Sequence, residues 1–253
     1  MTGATIFDDL EAEQDRIEAV LAGLDEAAWT SPSAALGWSV ADVVLHLAQT
    51  EEVVVGSASG ASALTNARPA PAPAADATSM DEAMAQWVAA ERTTPAKTFA
   101  RWRQARRDAL EALRTADPHV RLPWAAAPLS PSTLATTRLA EHWAHALDII
   151  GPLGIDFPDT ERLRHIAWLA HRSLPYGFAV AGEEAHDVYC ELTAPDGTTV
   201  WSYGDVATTS RVTGSAGAFC RVGAQRLAPD ASGLTTSGPH ADAALRVLRN
   251  YAA

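Results

Sequence analysis

The sequence predicts an α+β protein with a four-helix bundle over residues 1–155 and a smaller α+β domain over residues 156–253. In the first half, apolar residues recur three or four positions apart with acidic residues between them, which is the period of amphipathic helices. After about Asp156, segments alternate between apolar and polar residues and are separated by turn sequences. Four main helices joined by one long crossover are typical of a bundle.

Start and stop signals mark the predicted helices. Ser39 followed by Asp42 is a capping-box pattern, and Ser130-Pro131 combines a capping serine with proline at the first helical position. We expect the last bundle helix to stop before Gly151-Pro152. The proline-rich stretch Ala67–Ser79 is a predicted loop. The predicted helices are Ile6–Leu24, one beginning at Ser39, a short one at Asp81–Glu91, Pro95–Thr115 and Ser130–Ile150.

The second domain mixes helices and strands. Pro195-Asp196-Gly197 is a turn sequence between two alternating segments, which indicates a β-hairpin. No internal repeat is visible. The predicted elements are a helix at Glu161–Ser173, strands at Asp187–Thr193, Thr199–Tyr203, Arg211–Thr213 and Leu234–Ser237, and a final helix at Ala241–Tyr251.

Composition excludes several classes of protein. The net charge of −12 argues against nucleic acid and against an anionic membrane surface, since both bind clustered Lys and Arg. No apolar run approaches the roughly 20 residues that span a bilayer, and the acidic N-terminus is unlike a signal peptide. We therefore expect a cytoplasmic protein with a small-molecule substrate. Cys190 and Cys220 lie in apolar stretches and are predicted to be buried free thiols, with a disulfide between them as the alternative.

Three side chains form a candidate metal site. Glu141 and His145 lie one helical turn apart, about 40° around the axis and roughly 6 Å along it, so both can reach one ion. His46 lies among apolar residues of another predicted helix and is expected to face inward, where an unpartnered imidazole is unfavourable. Two imidazoles and one carboxylate form an open-sided site of the catalytic zinc type.

Simpler interpretations remain for each of these residues. A single histidine on a helix is more often a packed or solvated side chain than a ligand. His142 competes with His145 for the ligand position, although it points about 100° away from Glu141. Asp42, Arg138 and Asp148 are near enough in sequence to orient ligands, but helix capping and surface charge explain them equally well.

Two segments resemble motifs of a known family. GWSVADVVLHLA resembles the G-W-[ST]-V-x-D-x-[VIL]-x-H-L motif of the DinB and mycothiol-dependent maleylpyruvate isomerase superfamily. RLAEHWAHALDI resembles its R-x-x-E-x-x-x-H-x-x-D motif. Further stretches, TPAKTFARWRQARRDALEALRTADPHVRLPW and the C-terminal ELTAPDGTTVWSYGDVATTSRVTGSAGAFCRVGAQR, are similar to an actinobacterial group of two-domain, metal-binding members.

The resemblance implies a fold, a ligand set and a cosubstrate. The first domain would be a DinB-like bundle and the second a sterol-carrier-protein-like domain. The ligands of the divalent metal would be His46, Glu141 and His145. The cosubstrate that the resemblance implies is the thiol mycothiol. A bound metal would favour its thiolate form at neutral pH. Arg211, Arg221 and Arg226 are candidate catalytic residues that would anchor a substrate carboxylate, with a surface role as the alternative for each.

The sequence accordingly predicts a divalent-metal-dependent enzyme of the thiol-dependent isomerase or S-transferase kind, acting on a small electrophilic substrate. Zinc is the expected metal. Two alternatives stay open: a metal enzyme that needs no thiol and uses bound water or a bound carbonyl, and a noncatalytic module that binds a small ligand.

Overall fold

The computed structural model describes residues 4–59, 79–125 and 127–251 of the chain, arranged in two compact units. The first unit extends through Phe157, and the second begins at Pro158. Most of the predicted loop Ala67–Ser79 lies outside the described residues. Within the described residues, no helix combines the length and the apolar character that crossing a bilayer requires.

The first unit is helical, and its four long helices pack against one another as a bundle. The core between them is apolar, and Trp102, Leu134 and Leu139 are completely buried. Its helices are α1 (Ile6–Ala22), α2 (Glu26–Thr30), α3 (Val40–Ala58), α4 (Met80–Glu91), α5 (Pro95–Thr115) and α6 (Pro131–Leu153). The long helices α1, α3, α5 and α6 correspond to the predicted four, whereas α2 was not predicted.

The predicted capping signals set the register of the two helices that matter most for function. The Ser39 side chain accepts from the Asp42 amide at 3.2 Å, and Asp42 Oδ2 accepts from the Ser39 amide at 3.0 Å. This confirms the capping box at the start of α3. Ser130 caps α6 through the Thr133 amide, and Pro131 occupies the first turn, as predicted.

The prediction that α6 stops before Gly151-Pro152 was wrong. The helix continues through Pro152 to Leu153 and ends at Gly154, which adopts the left-handed conformation with φ +65°. Pro152 has no N–H to donate to the Asp148 carbonyl, and proline normally breaks a helix for this reason. Here the Ala34 amide donates to the Asp148 carbonyl at 2.9 Å, so that carbonyl keeps a hydrogen bond.

The second unit is a small α+β fold around a four-stranded sheet of order β2-β1-β3-β4. Strand β1 pairs antiparallel with β2 and parallel with β3, and β3 pairs antiparallel with β4. The elements are α7 (Leu163–Arg172), α8 (Leu174–Val180), β1 (Tyr189–Thr193), β2 (Val200–Tyr203), β3 (Arg211–Ser215), α9 (Ala216–Gly223), a 3-10 turn at Pro229–Ala231, β4 (Thr235–Ser237) and α10 (Ala241–Val247).

This architecture confirms the α+β fold class. The predicted hairpin forms at Asp196, whose side chain accepts from the Thr198 and Thr199 amides at 2.8 Å each. The helices α8 and α9 were not predicted. The predicted helix from Ala241 to Tyr251 ends earlier, at Val247. Cys190 and Cys220 are free and buried, as expected.

Candidate metal centre

Helices α3 and α6 bring His46, Glu141 and His145 together. One potential ligand atom from each lies within 4.8 Å of the others. Glu141 Oε2 is 3.4 Å from His145 Nε2 and 3.9 Å from His46 Nε2. The two imidazole rings meet nearly edge to face, with centroids 5.0 Å apart. Among the described residues this is the one group of at least three histidine, cysteine and acidic side chains with such spacing.

Asp148 orients His145. Its Oδ2 lies 2.9 Å from His145 Nδ1, and its side chain is almost completely buried. A carboxylate only accepts hydrogen bonds, so Nδ1 carries a proton, and Nε2, which faces Glu141, is the nitrogen that can bind an ion once it is unprotonated. A carboxylate behind the distal nitrogen is the usual support for a metal-binding histidine. Asp148, one of three sequence candidates for this role, is in position to fill it.

Trp38 covers the two imidazoles from the turn before α3. Its half-buried ring lies 5.1 Å from the His46 ring and 6.4 Å from the His145 ring, measured between centroids. Gly37, with φ +79°, allows the tight turn that precedes Trp38. The Ala34–Asp148 hydrogen bond ties this turn to α6. The turn therefore limits how far either imidazole can rotate.

His142 lies outside the cluster, and both of its ring nitrogens are engaged. Its Nδ1 lies 2.9 Å from the Arg138 carbonyl, to which it donates. Trp102 Nε1 donates to its Nε2 at 3.2 Å. A histidine that is completely buried and satisfied in this way has no lone pair left for an ion. The choice between His142 and His145 is thus settled by geometry in favour of His145 as the cluster member.

A second buried polar layer lies beside the cluster, and only one of its residues, Arg138, was a candidate in the sequence. Arg138 Nε donates to Glu51 Oε1 at 2.9 Å, and its terminal nitrogen donates to Thr50 Oγ1 at 2.7 Å. Glu51 and Arg138 are both fully buried. In the sequence, Glu51 is one of two adjacent acids in a helix, a pattern more typical of a solvated face.

The environment sets the charges of the cluster. Burial lowers the pKa of His46, despite the nearby Glu141 carboxylate. Burial acts to raise the pKa of Glu141, but the adjacent His145 and His46 imidazoles outweigh it and hold that pKa well below its usual range. For His145, burial is outweighed by hydrogen bonds to Asp148 and Glu141, so its pKa is raised. Glu141 is thus ionised and His46 neutral at pH 7, as ligation requires.

These residues fit a divalent metal ion on two counts. His46 Nε2 faces Glu141 Oε2 at 3.9 Å, which is too far for a normal hydrogen bond, so this nitrogen is available to an ion. The second count is charge: with Glu51 and Arg138 cancelling as a pair, Glu141 and Asp148 leave buried negative charge at the cluster. A dication bound by two imidazoles and a carboxylate would satisfy both.

The other predicted site residues have intramolecular partners. Asp42 caps α3 and accepts from Arg92 at 2.8 Å, in agreement with its simpler interpretation. Arg221 forms a two-point ion pair with Asp159, at 2.7 and 2.9 Å. Arg211 donates to the Val206 carbonyl and lies over the Tyr189 ring, 4.8 Å from its centroid. Arg226 donates to the Ala224 carbonyl at 2.8 Å.

Fold and donor set together define an α+β protein with a candidate metal centre in its helical bundle. Residues 10–150, more than half of the chain, match the family described as mycothiol maleylpyruvate isomerase N-terminal domain. The chain belongs to this family. The resemblance found in the two motifs is confirmed.

Similar proteins extend the match over nearly the whole chain. Uncharacterized proteins from two strains of Mycobacterium tuberculosis are each 34% identical over 246 residues, covering 96% of this chain and 94% of theirs. The crystal structures of the mycothiol-dependent maleylpyruvate isomerase and of one of its histidine-to-alanine mutants are similar in fold. Their TM-scores are 0.58 and 0.60 at 17% identity, with 92% of this chain and 91% of each of those chains covered.

Proposed function

We propose that the chain is a divalent-metal-dependent enzyme of the thiol-dependent isomerase or S-transferase kind, with mycothiol as cosubstrate and a small electrophilic substrate. The observation that carries the proposal is the convergence of His46, Glu141 and His145 within 4.8 Å, at a cluster with buried negative charge. Membership of the isomerase family supports the thiol and the reaction class. Zinc is the proposed metal, because it favours sites of two histidines and one carboxylate.

The proposal also assigns roles to the two predicted domains. Residues 1–155 would be the metal-binding bundle, and residues 156–253 a C-terminal α+β domain of the sterol-carrier-protein kind. For a substrate carboxylate, we favour Arg211 over Arg221, and Arg226, which donates to the Ala224 carbonyl, stays a candidate. Arg211 uses a carbonyl and an aromatic ring as its partners, whereas Arg221 would have to give up a two-point ion pair with Asp159.

The chain's own side chains prepare the site for thiol chemistry. When bound, a divalent ion lowers the pKa of a thiol or water that it coordinates. Asp148 keeps the proton of His145 on Nδ1, and Glu141 supplies the negative charge that attracts the ion. Trp38 covers one side of the imidazoles with an apolar ring, which reduces access of water to them.

Metal analysis of the purified chain tests the ligand set. We expect about one divalent ion per chain in the wild type, and loss of that ion in His46→Ala and in Glu141→Gln. His119→Ala is a matched control, because His119 is exposed and lies outside the cluster. A wild-type chain that binds no divalent ion, or ligand variants that keep it, would contradict the proposal.

A thiol-dependence assay separates the proposed reaction from its two rivals. With the metal-loaded chain, we expect isomerisation or S-transfer of an activated alkene substrate only when mycothiol is added. Turnover that persists without any low-molecular-weight thiol supports a metal enzyme using water or a carbonyl. Function that survives removal of all three ligands supports a noncatalytic binding module.

A further inference from the structure

Two layers of contacts join α3 to α6, one helical turn apart. The first layer is the cluster of His46, Glu141 and His145. The second is made by Thr50 and Glu51 of α3 with Arg138 of α6. Thr50 follows His46 by four residues and Arg138 precedes Glu141 by three, so the layers are separated by roughly one 5.4 Å turn.

The second layer contains a positive charge that would oppose a cation in the first. Arg138 is always protonated and is completely buried, so water does not screen its charge effectively. A guanidinium one turn from a dication repels it.

Glu51 is placed to cancel that charge: burial raises the pKa of its carboxyl, and the adjacent Arg138 guanidinium opposes that rise. Its Oε1 accepts from Arg138 Nε at 2.9 Å and lies 3.4 Å from His142 Nδ1. Its Oε2 is buried with no hydrogen-bond partner among the described residues. A neutral glutamine would make the same contact with Arg138, so hydrogen bonding alone does not call for a carboxylate at this completely buried position.

We infer that Glu51 is a positioning residue for the metal centre: its carboxylate neutralises Arg138, so that the first layer retains the negative charge that a divalent ion requires. This inference rests on the proposed function. It differs from a purely structural role, in which the Glu51–Arg138 pair only holds α3 against α6.

Zinc affinity of the full-length chain tests the inference, measured by competition with a chromophoric chelator. Glu51→Gln keeps the shape and the hydrogen bond to Arg138 but removes the charge, so we expect zinc to bind about tenfold to a hundredfold more weakly. The double variant Glu51→Gln/Arg138→Gln removes both charges and should recover most of that loss. A purely structural pair would show the same recovery in the free energy of unfolding, so each variant's zinc affinity is compared with the stability of its metal-free form. A loss of zinc affinity without a matching loss of stability supports charge balance.

Glu52→Gln is the matched control. Glu52 is the next residue of α3 and forms a two-point ion pair with Arg101 of α5, at 2.6 and 2.7 Å. Losing its charge should leave zinc affinity unchanged. Circular dichroism of the metal-free proteins checks that each variant folds. If Glu51→Gln alone does not fold, the double variant decides. Zinc affinity equal to that of the wild type would then support charge balance, and weaker zinc affinity would contradict charge balance.

The outcomes separate this inference from the proposed function. Wild-type zinc affinity in Glu51→Gln would overturn the inference, because Glu51 would then carry no charge that matters to the ion. A double variant weaker than either single variant would assign the pair a structural role only. In both cases, zinc loss by His46→Ala leaves the proposed function standing. A wild-type chain that binds no zinc overturns both.

Discussion

At the residue scale, a single hydrogen bond decides which nitrogen of His145 faces the cluster. Asp148 lies 2.9 Å from Nδ1 and is itself almost completely buried. Because Asp148 holds the Nδ1 proton, Nε2 already faces the cluster before an ion arrives and binds the ion once it is unprotonated. This arrangement lowers the entropic cost of metal binding, since the imidazole ring is already held in one orientation.

We therefore expect Asp148→Asn to weaken zinc binding by about tenfold to a hundredfold. The asparagine side chain has nearly the same size but can accept only a weaker hydrogen bond from His145 and carries no charge. Asp42→Asn serves as the comparison, because Asp42 is also a buried aspartate but caps α3 and pairs with Arg92. Competition titration measures both affinities, and equal losses in the two variants would contradict the assigned role.

The raised pKa of His145 predicts how zinc binding depends on pH. In the metal-free protein His145 holds its proton up to a pH above its ordinary value of about 6.5. Zinc needs that nitrogen unprotonated, so affinity should be constant above the raised pKa and fall about tenfold per pH unit below it. His46, with a lowered pKa, adds a second proton only at lower pH.

Zinc titrations between about pH 5 and pH 8 measure this profile. Asp148→Asn should move the onset of the fall to lower pH, because it removes the partner that raises the pKa of His145. Affinity that does not change with pH through the ordinary range of histidine would show that no cluster histidine loses a proton when zinc binds.

The three cluster residues were predictable from the sequence, whereas the buried Glu51–Arg138 pair beside them was not. Helical spacing placed Glu141 and His145 on one face, and the apolar neighbours of His46 predicted that it faces inward. The family motifs then favoured His145 over His142. Glu51 was missed because its partner Arg138 lies far away in sequence and on another helix. Such a pairing depends on how α3 and α6 pack, which periodicity within one segment does not determine.

At the element scale, α3 positions His46, and its first turn is held by the capping box of Ser39 and Asp42. We expect Ser39→Ala to lower the free energy of unfolding by about 1 kcal/mol, because the Asp42 amide loses its acceptor. In a unit of this size that corresponds to a fall of roughly 2–4 °C in melting temperature. Thermal denaturation measures it.

Ser39→Thr provides the control, since threonine keeps a capping oxygen at the same position. It should retain most of the stability that Ser39→Ala loses. A melting temperature unchanged in Ser39→Ala would mean that tertiary packing, and not the cap, fixes the start of α3.

The sequence predicted the first residues of helices more successfully than their last residues. Serine caps at Ser39 and Ser130 act within three residues, so the sequence alone reveals them. The end of α6 depends on the Ala34 amide, which reaches the Asp148 carbonyl from a distant turn and lets the helix run through Pro152. The short helices α2 and α9 likewise depend on packing more than on a long periodic pattern.

At the scale of the whole molecule, charge and stability combine into a test of the metal centre. The chain carries 31 acidic and 19 basic residues, so its net charge favours cations in general. A specific site is distinguished from this diffuse attraction by where the protein is stabilised. Binding at the cluster bridges α3 and α6, whereas diffuse binding is spread over the acidic side chains of the surface.

Hydrogen exchange with and without zinc makes that distinction. At a zinc concentration about 100 times the dissociation constant, the ion stabilises the folded state by about 2.7 kcal/mol, which slows the exchange of amides that open only on unfolding. We expect the slowing in α3 and α6 around His46 and Glu141, with the strands β1 and β3 of the second unit as an internal reference. Glu141→Gln should abolish it. Exchange in α3 and α6 that zinc leaves unchanged would contradict a metal ion bound between these two helices.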